Sequence, residues 1–205
     1  MLTLAIDCAT EACSVALFDD DRLITGDFQL LGRGHAEQLV PMLAKLPGKG
    51  RAERIAVGLG PGSFTGVRVG LAAARALAFA WNAALVGYPT LELVAAHARM
   101  THAQVPLAVA MTGGHGEWFV QRFAADGSEV AACASRPPED AALVPEGLVV
   151  GSQAEALVVR RGFGEVLALW PDARNLPQLP LQALTSDPHP LYGRAPDARL
   201  PTPAC

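Results

Sequence analysis

The 205-residue chain lacks the signals of a membrane span, a disulfide scaffold and a surface that grips nucleic acid. No window approaches the roughly 20 uninterrupted apolar residues of a spanning helix, and the longest candidate, after Gly66, carries Arg68, Arg75 and Asn82. The start reaches Asp7 after a few apolar residues, with no basic lead and no signal-peptide core, so a cytoplasmic location is expected. Four cysteines, Cys8, Cys13, Cys133 and Cys205, show neither C-x-x-C spacing nor scaffold density; reduced, mostly buried thiols are the expectation. A net charge of -4 argues against nucleic-acid binding across the chain's own surface, Arg51, Arg54, Arg160 and Arg161 being the only small basic clusters. The five histidines, His35, His97, His102, His115 and His189, make no H-E-x-x-H or other ligand spacing. No G-x-S-x-G string provides a nucleophile elbow, since Ser63 stands differently among its glycines.

What is present is enough apolar material for a sizeable core: 51% hydrophobic residues at a mean hydropathy of +0.26, in a chain that fits one or two domains. The first half reads as β-β-β-α-β-α-β-α. Leu2 to Ile6, Cys13 to Phe18 and Leu23 to Phe28 are strand runs, the last two joined by an Asp19-Asp20-Asp21 turn. From His35 the period becomes helical, with Leu39, Met42, Leu43 and Leu46 on one face until Pro47-Gly48 ends it. Ile55 to Leu59 is a fourth strand, a helix runs to about Asn82, Leu85-Val86 forms a short strand, and Thr90 is placed to cap a helix reaching Arg99.

The second half reads as strands at Pro106 to Met111, Trp118 to Phe123 and Val130 to Ala134, with turns at Thr112-Gly113-Gly114 and Asp126-Gly127. Leu148 to Gly151 feeds a helix from Ser152, whose hydroxyl is placed to cap it, to about Arg160. After Pro171, prolines at 177, 180, 188, 190, 196, 201 and 203 predict mostly extended chain and a mobile tail.

The string Gly60-Pro61-Gly62-Ser63-Phe64-Thr65-Gly66-Val67-Arg68-Val69-Gly70 joins the fourth strand to the second helix. Its glycines permit positive φ and close approach, and Ser63 or Thr65 is placed to cap the helix. Two readings stay open: a phosphate site on the helix-start amides, or a tight turn before a closely packed helix. It lacks the Lys-Ser/Thr ending of a P-loop, and its glycine spacing is one residue longer than the dinucleotide fingerprint. Gly66, Gly70 and Ala73-Ala74 make a flat strip that fits either another helix or the chain's own sheet. The first helix adds Leu39, Leu43 and Leu46 on one face and Val40 beside it. Asp7, at the end of the first strand, reads either as a carboxylate for metal-nucleotide chemistry or as a cap on the following turn.

The run from Leu4 to Leu17 around Asp7 resembles the first phosphate loop of the actin-like, sugar-kinase and Hsp70 ATPase superfamily. With His35-Ala36-Glu37-Gln38-Leu39, the Gly60 to Gly70 string and Thr90-Leu91-Glu92 it resembles the TsaB (YeaZ) family, over essentially all of residues 1 to 95. The second half matches less: Gly116-Glu117-Trp118-Phe119 and Pro190-Leu191-Tyr192-Gly193-Arg194 resemble family strings, but Thr112 and Gly114 stand where the family has Asp and Arg.

The resemblance implies an α/β fold of the actin-like, ribonuclease H-like kind, with subdomains at residues 1–100 and 101–205 and the second reduced. It implies a non-catalytic subunit that scaffolds and activates a TsaD-type subunit in tRNA threonylcarbamoyladenosine formation. TsaD-like proteins carry a His-x-x-x-His metal pair where Thr90 and Val94 stand here, and neither of these holds a metal. No cofactor is expected for the chain itself, with ATP and Mg²⁺ placed at the partner interface. A TsaE-type ATPase joins the complex, tRNA is met only through it, and for the isolated chain both a homodimer and a monomer stay open. The nucleotide candidates are Asp7, Thr10, Gly60, Gly62 and Ser63; the partner-surface candidates are His35, Leu39, Val40, Leu43, Gly66, Val67, Gly70 and Ala74. The alternatives are a free-standing ATPase or small-molecule kinase of the superfamily and, behind it, a metallopeptidase.

Overall fold

The computed structural model describes residues 1–193. Strands β1 (Leu2–Asp7), β2 (Ala12–Asp19) and β3 (Arg22–Leu30) form an antiparallel meander, and β4 (Arg54–Gly58) and β5 (Ala84–Tyr88) join β1 in parallel, in the order β3-β2-β1-β4-β5. Helix α1 (His35–Lys45) leads towards β4, α2 (Phe64–Trp81) connects β4 to β5, and α3 (Thr90–Arg99) follows β5. The second half repeats this wiring. Strands β6 (Leu107–Thr112), β7 (Trp118–Phe123) and β8 (Glu129–Arg136) form the meander, and after the short helix α4 (Pro138–Ala141), β9 (Leu148–Val150) and β10 (Glu165–Leu167) flank the helix α5 (Ala154–Arg161). Its order is β10-β9-β6-β7-β8, the first sheet's topology with shorter parallel strands. These are the two actin-like subdomains, the second reduced.

Strand alternation explains the layers, because neighbouring residues face opposite sides of a sheet. In the first sheet Leu4, Ile6, Val15, Leu17, Ile55 and Val57 face α1 and α2. Their neighbours Ala5, Ala16, Phe18 and Ala56 face Tyr88, Leu93 and the segment after Pro171. Both faces are covered, so β1 and β2 read as continuous apolar runs. The covering layers cross the division at residue 100, since α3 buries Leu91, Val94, Ala95 and Ala98 with β6, β7 and β9. In the other direction, Ala173, Leu176 and Leu179 return to the first sheet.

Three expectations are corrected. The chain after Pro171 is not mainly extended: Asp172 accepts a hydrogen bond from the Arg174 amide and opens a 3-10 helix over Ala173–Gln178, followed by another at Leu181–Ala183. Helix α5 begins at Ala154, not at Ser152, and has no side-chain cap. Ser152 Oγ instead accepts the Thr112 amide at 3.0 Å. Thr90 is the first helical residue of α3 rather than its cap. The prolines at 196, 201 and 203, Arg194, Cys205 and the expected mobile tail lie outside the described residues. No helix among the described residues is long and apolar enough to cross a membrane.

Candidate functional site

Where β1 ends, the β1-β2 turn, the glycine turn and the start of α3 converge on the Asp7 carboxylate. Oδ1 accepts the Ala9 amide at 2.9 Å, and Oδ2 accepts the Thr90 hydroxyl at 3.1 Å. Thr90 Oγ1 in turn accepts the Gly60 amide at 3.2 Å, while the Tyr88 hydroxyl donates to the Ile6 carbonyl at 3.0 Å. The carboxylate lies over Gly58, in space a Cβ there would need. Burial pushes Asp7 up to about 6, against the pull of the Ala9 and Thr90 hydrogen bonds and the neighbouring Tyr88 hydroxyl and with a further push from Asp172. Of its two readings the structure carries the turn cap.

The glycine turn is pressed against the same hairpin. The Ser63 amide donates to the Ala9 carbonyl at 2.6 Å, and a Cβ on Gly62 would overlap that carbonyl. Ser63, not Thr65, caps α2, its Oγ accepting the Gly66 amide at 3.2 Å. Gly60 adopts φ +90°, a conformation L side chains rarely take. Thr10 accepts the Ala12 amide at 3.2 Å through Oγ1. Its carbonyl lies 2.7 Å from His35 Nε2, which must therefore carry the proton.

A cavity of about 840 Å³ opens between the two halves. Thr10, Gly62 and Ser63 line it; Asp7 and Gly60 do not, so the nucleotide candidates are split between its wall and the buried cap beneath. An Mg²⁺-nucleotide seat on Asp7 does not fit, because the carboxylate is buried and both its oxygens are hydrogen-bonded within the chain. Among the described residues no three His, Cys, Asp or Glu side chains are placed to hold a metal. Val94 lies in the core and the Thr90 hydroxyl is engaged.

Residues outside the expected site set close the cavity. The strap Leu191–Gly193 crosses from one half to the other: the Leu191 amide donates to the Leu59 carbonyl at 2.8 Å, and the Ser135 amide to the Gly193 carbonyl at 3.2 Å. Phe64 stacks on Tyr192 with ring centroids 5.9 Å apart, and the Arg68 guanidinium sits 3.6 Å above Phe64 while donating to the Tyr192 hydroxyl. On the far wall Glu11 Oε1 accepts Trp170 Nε1 at 3.0 Å and the Thr112 hydroxyl at 3.4 Å.

The expected partner surface is corrected in detail. His35, Leu39, Leu43, Gly66, Val67, Gly70 and Ala74 all point inward. On α2 the β1-β2 hairpin occupies the small-residue strip, since a Cβ on Gly66 would overlap the Cys8 carbonyl and Gly70 faces Cys8 and Val57, whereas on α1 Leu39 and Leu43 pack on the sheet. Val40 alone of the eight is outside, 65% exposed. The outer face of the packed α1-α2 pair also carries Ala72, Ala76 and Phe79, the last 92% exposed.

The family described as tRNA N6-adenosine threonylcarbamoyltransferase matches residues 29–153. The tRNA threonylcarbamoyladenosine biosynthesis protein TsaB of Escherichia coli is 36% identical over 131 residues, covering 62% of this chain and 56% of that protein. The Haemophilus influenzae protein of the same name is 38% identical over 104 residues, 48% of this chain and 44% of its own length. The chain thus spans about half the length of the curated relatives it matches. The solved structure of YeaZ from Pseudomonas aeruginosa superposes with a TM-score of 0.76 at 27% identity, over 93% of this chain and 99% of that one. A further solved structure, an uncharacterised protein with similarity to peptidase YeaZ from Pseudomonas aeruginosa, gives a TM-score of 0.70 at 29% identity over 85% and 88%.

Proposed function

Because the chain belongs to the TsaB/YeaZ family, we propose that it acts in tRNA N6-threonylcarbamoyladenosine formation as a non-catalytic partner subunit that scaffolds and activates a TsaD-type transferase. The observation that carries the reading is the outer side of α1 and α2, where Val40 and the almost fully exposed Phe79 stand on neighbouring helices, with exposed Ala72 and Ala76 near Phe79 and Arg75 one turn before it. Such a face loses water at little steric cost when two further helices settle on it. A TsaD-type subunit, or a second copy of this chain in its absence, takes that place. ATP and Mg²⁺ belong to the assembly, through the partner interface and a TsaE-type ATPase, and tRNA is met through it.

The non-catalytic half of the proposal is supported by the surroundings of Asp7. A kinase of this superfamily needs that carboxylate turned toward a nucleotide, whereas here it caps its own turn under Ala9 and Thr90. A metallopeptidase needs metal donors where Thr90 and Val94 stand.

The test is binding of the purified chain to a TsaD-type subunit, with Val40→Glu and Phe79→Asp compared with wild type. Both sites are exposed, so melting should stay within a degree or two of wild type. Affinity should fall about tenfold or more, which needs only about 1.4 kcal/mol. Unchanged affinity in both variants refutes the helix face, and ATP turnover by the chain alone that Asp7→Ala abolishes refutes the non-catalytic reading.

A further inference from the structure

We propose that Cys8 and Cys13 are a redox pair that closes to a cross-strand disulfide when the chain meets a low-molecular-weight disulfide, oxidised glutathione being the probe. The inference goes beyond the partner reading, for both thiols are buried and neither lies on the outer face of α1 and α2.

The register of the hairpin carries it. Strands β1 and β2 pair antiparallel with Asp7 opposite Ser14, and one step further towards the turn Cys8 stands across from Cys13. Their sulfurs touch at 3.5 Å, one thiol donating to the other. Directly opposed residues of an antiparallel pair have Cα atoms about 4.5–5.5 Å apart, within the span that a disulfide accepts. The sulfurs need to approach by only about 1.5 Å to bond, and no change of register is required. Cys133 is the contrast: half-buried against the core of the second sheet, it has no second cysteine among the described residues of its cluster.

The step is thiol-disulfide exchange. One thiolate of the pair attacks a sulfur of the oxidant, forming a mixed disulfide and releasing one glutathione thiolate; the other thiolate then attacks the protein sulfur and expels the second. The two protein thiols give up two protons and two electrons, and one glutathione disulfide becomes two glutathione thiols. Because the second protein thiol is already in contact, the mixed disulfide does not accumulate. The Cys13 contact and burial push the Cys8 thiol up, and both sulfurs are covered, so attack waits for the hairpin to lift locally from α2 and closure is slow. The bond ties the two strands at the base of the turn whose Ala9 carbonyl holds the Ser63 amide.

The test equilibrates the full chain with reduced and oxidised glutathione at several ratios, quenches in acid, alkylates, and digests with trypsin, which leaves Cys8 and Cys13 together in the peptide Met1–Arg22 and Cys133 in another. Under excess oxidised glutathione most of the Met1–Arg22 peptide should be two hydrogens lighter and unalkylated, while the chain keeps its native circular dichroism. Excess reduced glutathione should restore both thiols. Cys13→Ala should abolish the mass loss, and Cys133→Ser should leave it unchanged. The proposal is overturned if both thiols persist in the folded chain under a ratio that oxidises the urea-unfolded chain, or if closure is no faster than global unfolding. Glutathione left on either member of the wild-type pair, or a bond to Cys133, overturns it as well.

Discussion

Gly66 and Gly70 lie one turn apart on the buried face of α2, yet replacing each by alanine should move stability in opposite directions. At Gly70 a new Cβ meets Cys8 Cβ at 3.5 Å, Val57 Cγ2 at 3.7 Å and Cys8 Sγ at 3.8 Å, all ordinary contacts. Alanine there gains helix propensity of about 0.8–1 kcal/mol and fills space with a buried methyl group. At Gly66 the same Cβ would overlap the Cys8 carbonyl oxygen, a backbone atom at the end of β1 that cannot rotate aside. Overpacking of this kind costs about 1–3 kcal/mol and more where the neighbour is rigid, which outweighs the propensity gain.

Gly70→Ala should therefore stabilise by about 1 kcal/mol and Gly66→Ala destabilise by about 2 kcal/mol. In a chain of this size that separates the melting temperatures by about 6–12 °C. Urea titrations followed by circular dichroism, with unchanged slopes, measure the difference directly. The account of α2 fails if Gly66→Ala is as stable as wild type, or if Gly70→Ala loses more than about 1 kcal/mol.

Two further predictions concern the buried polar groups. Asp7 is raised in the fold from 3.8 to about 6, so the native state keeps a proton that the unfolded chain gives up. Its contribution to stability is fullest below pH 3.8, falls as pH rises to about 6 and is level above that. The total is at most about 3 kcal/mol; Asp7→Asn should gain on wild type across that window in urea titrations, and a gap independent of pH refutes the assignment. Ser14 Oγ donates to the Pro171 carbonyl at 3.2 Å and accepts the Ala173 amide at 2.9 Å, all buried. Ser14→Ala should cost about 2–4 kcal/mol by stranding both groups and speed proteolysis after Pro171; normal stability with unchanged proteolysis would show that the hydroxyl does not hold this segment.

Much of the fold was legible because strands covered on both faces and helices of three turns or more leave long apolar patterns. Strands β1, β2, β4 and β6 and helices α1 to α3 are all legible this way, with the stated ends displaced by no more than one residue. Strand β10 and helix α4 were not, since three or four residues are too short for a period to register. The proline-rich segment misled for a different reason. Proline disrupts α-helix interiors and central strands but is tolerated in first turns and short turns, and the spacing of Ala173, Leu176 and Leu179 matches the three-residue repeat of the 3-10 turns that bury them.

The site shows where local pattern stops being informative. Small residues one turn apart state that something approaches closely and leave open what it is. Here it is Cys8, some sixty residues away, because the β1-β2 hairpin passes over the first turns of α2. That hairpin turns Gly66 and Gly70 inward and takes up the Ser63 amide through the Ala9 carbonyl, while His35, Leu39 and Leu43 are drawn in separately, by the Thr10 carbonyl and by the sheet core. It also changes which substitutions probe a partner. Ala74→Glu would place a charge in a fully buried position, and Gly70→Trp would drive an indole into Cys8 and Val57, so either would report unfolding rather than binding. Val40→Glu and Phe79→Asp ask the binding question cleanly, because these side chains touch water in the isolated chain and lose it only if a second pair of helices arrives.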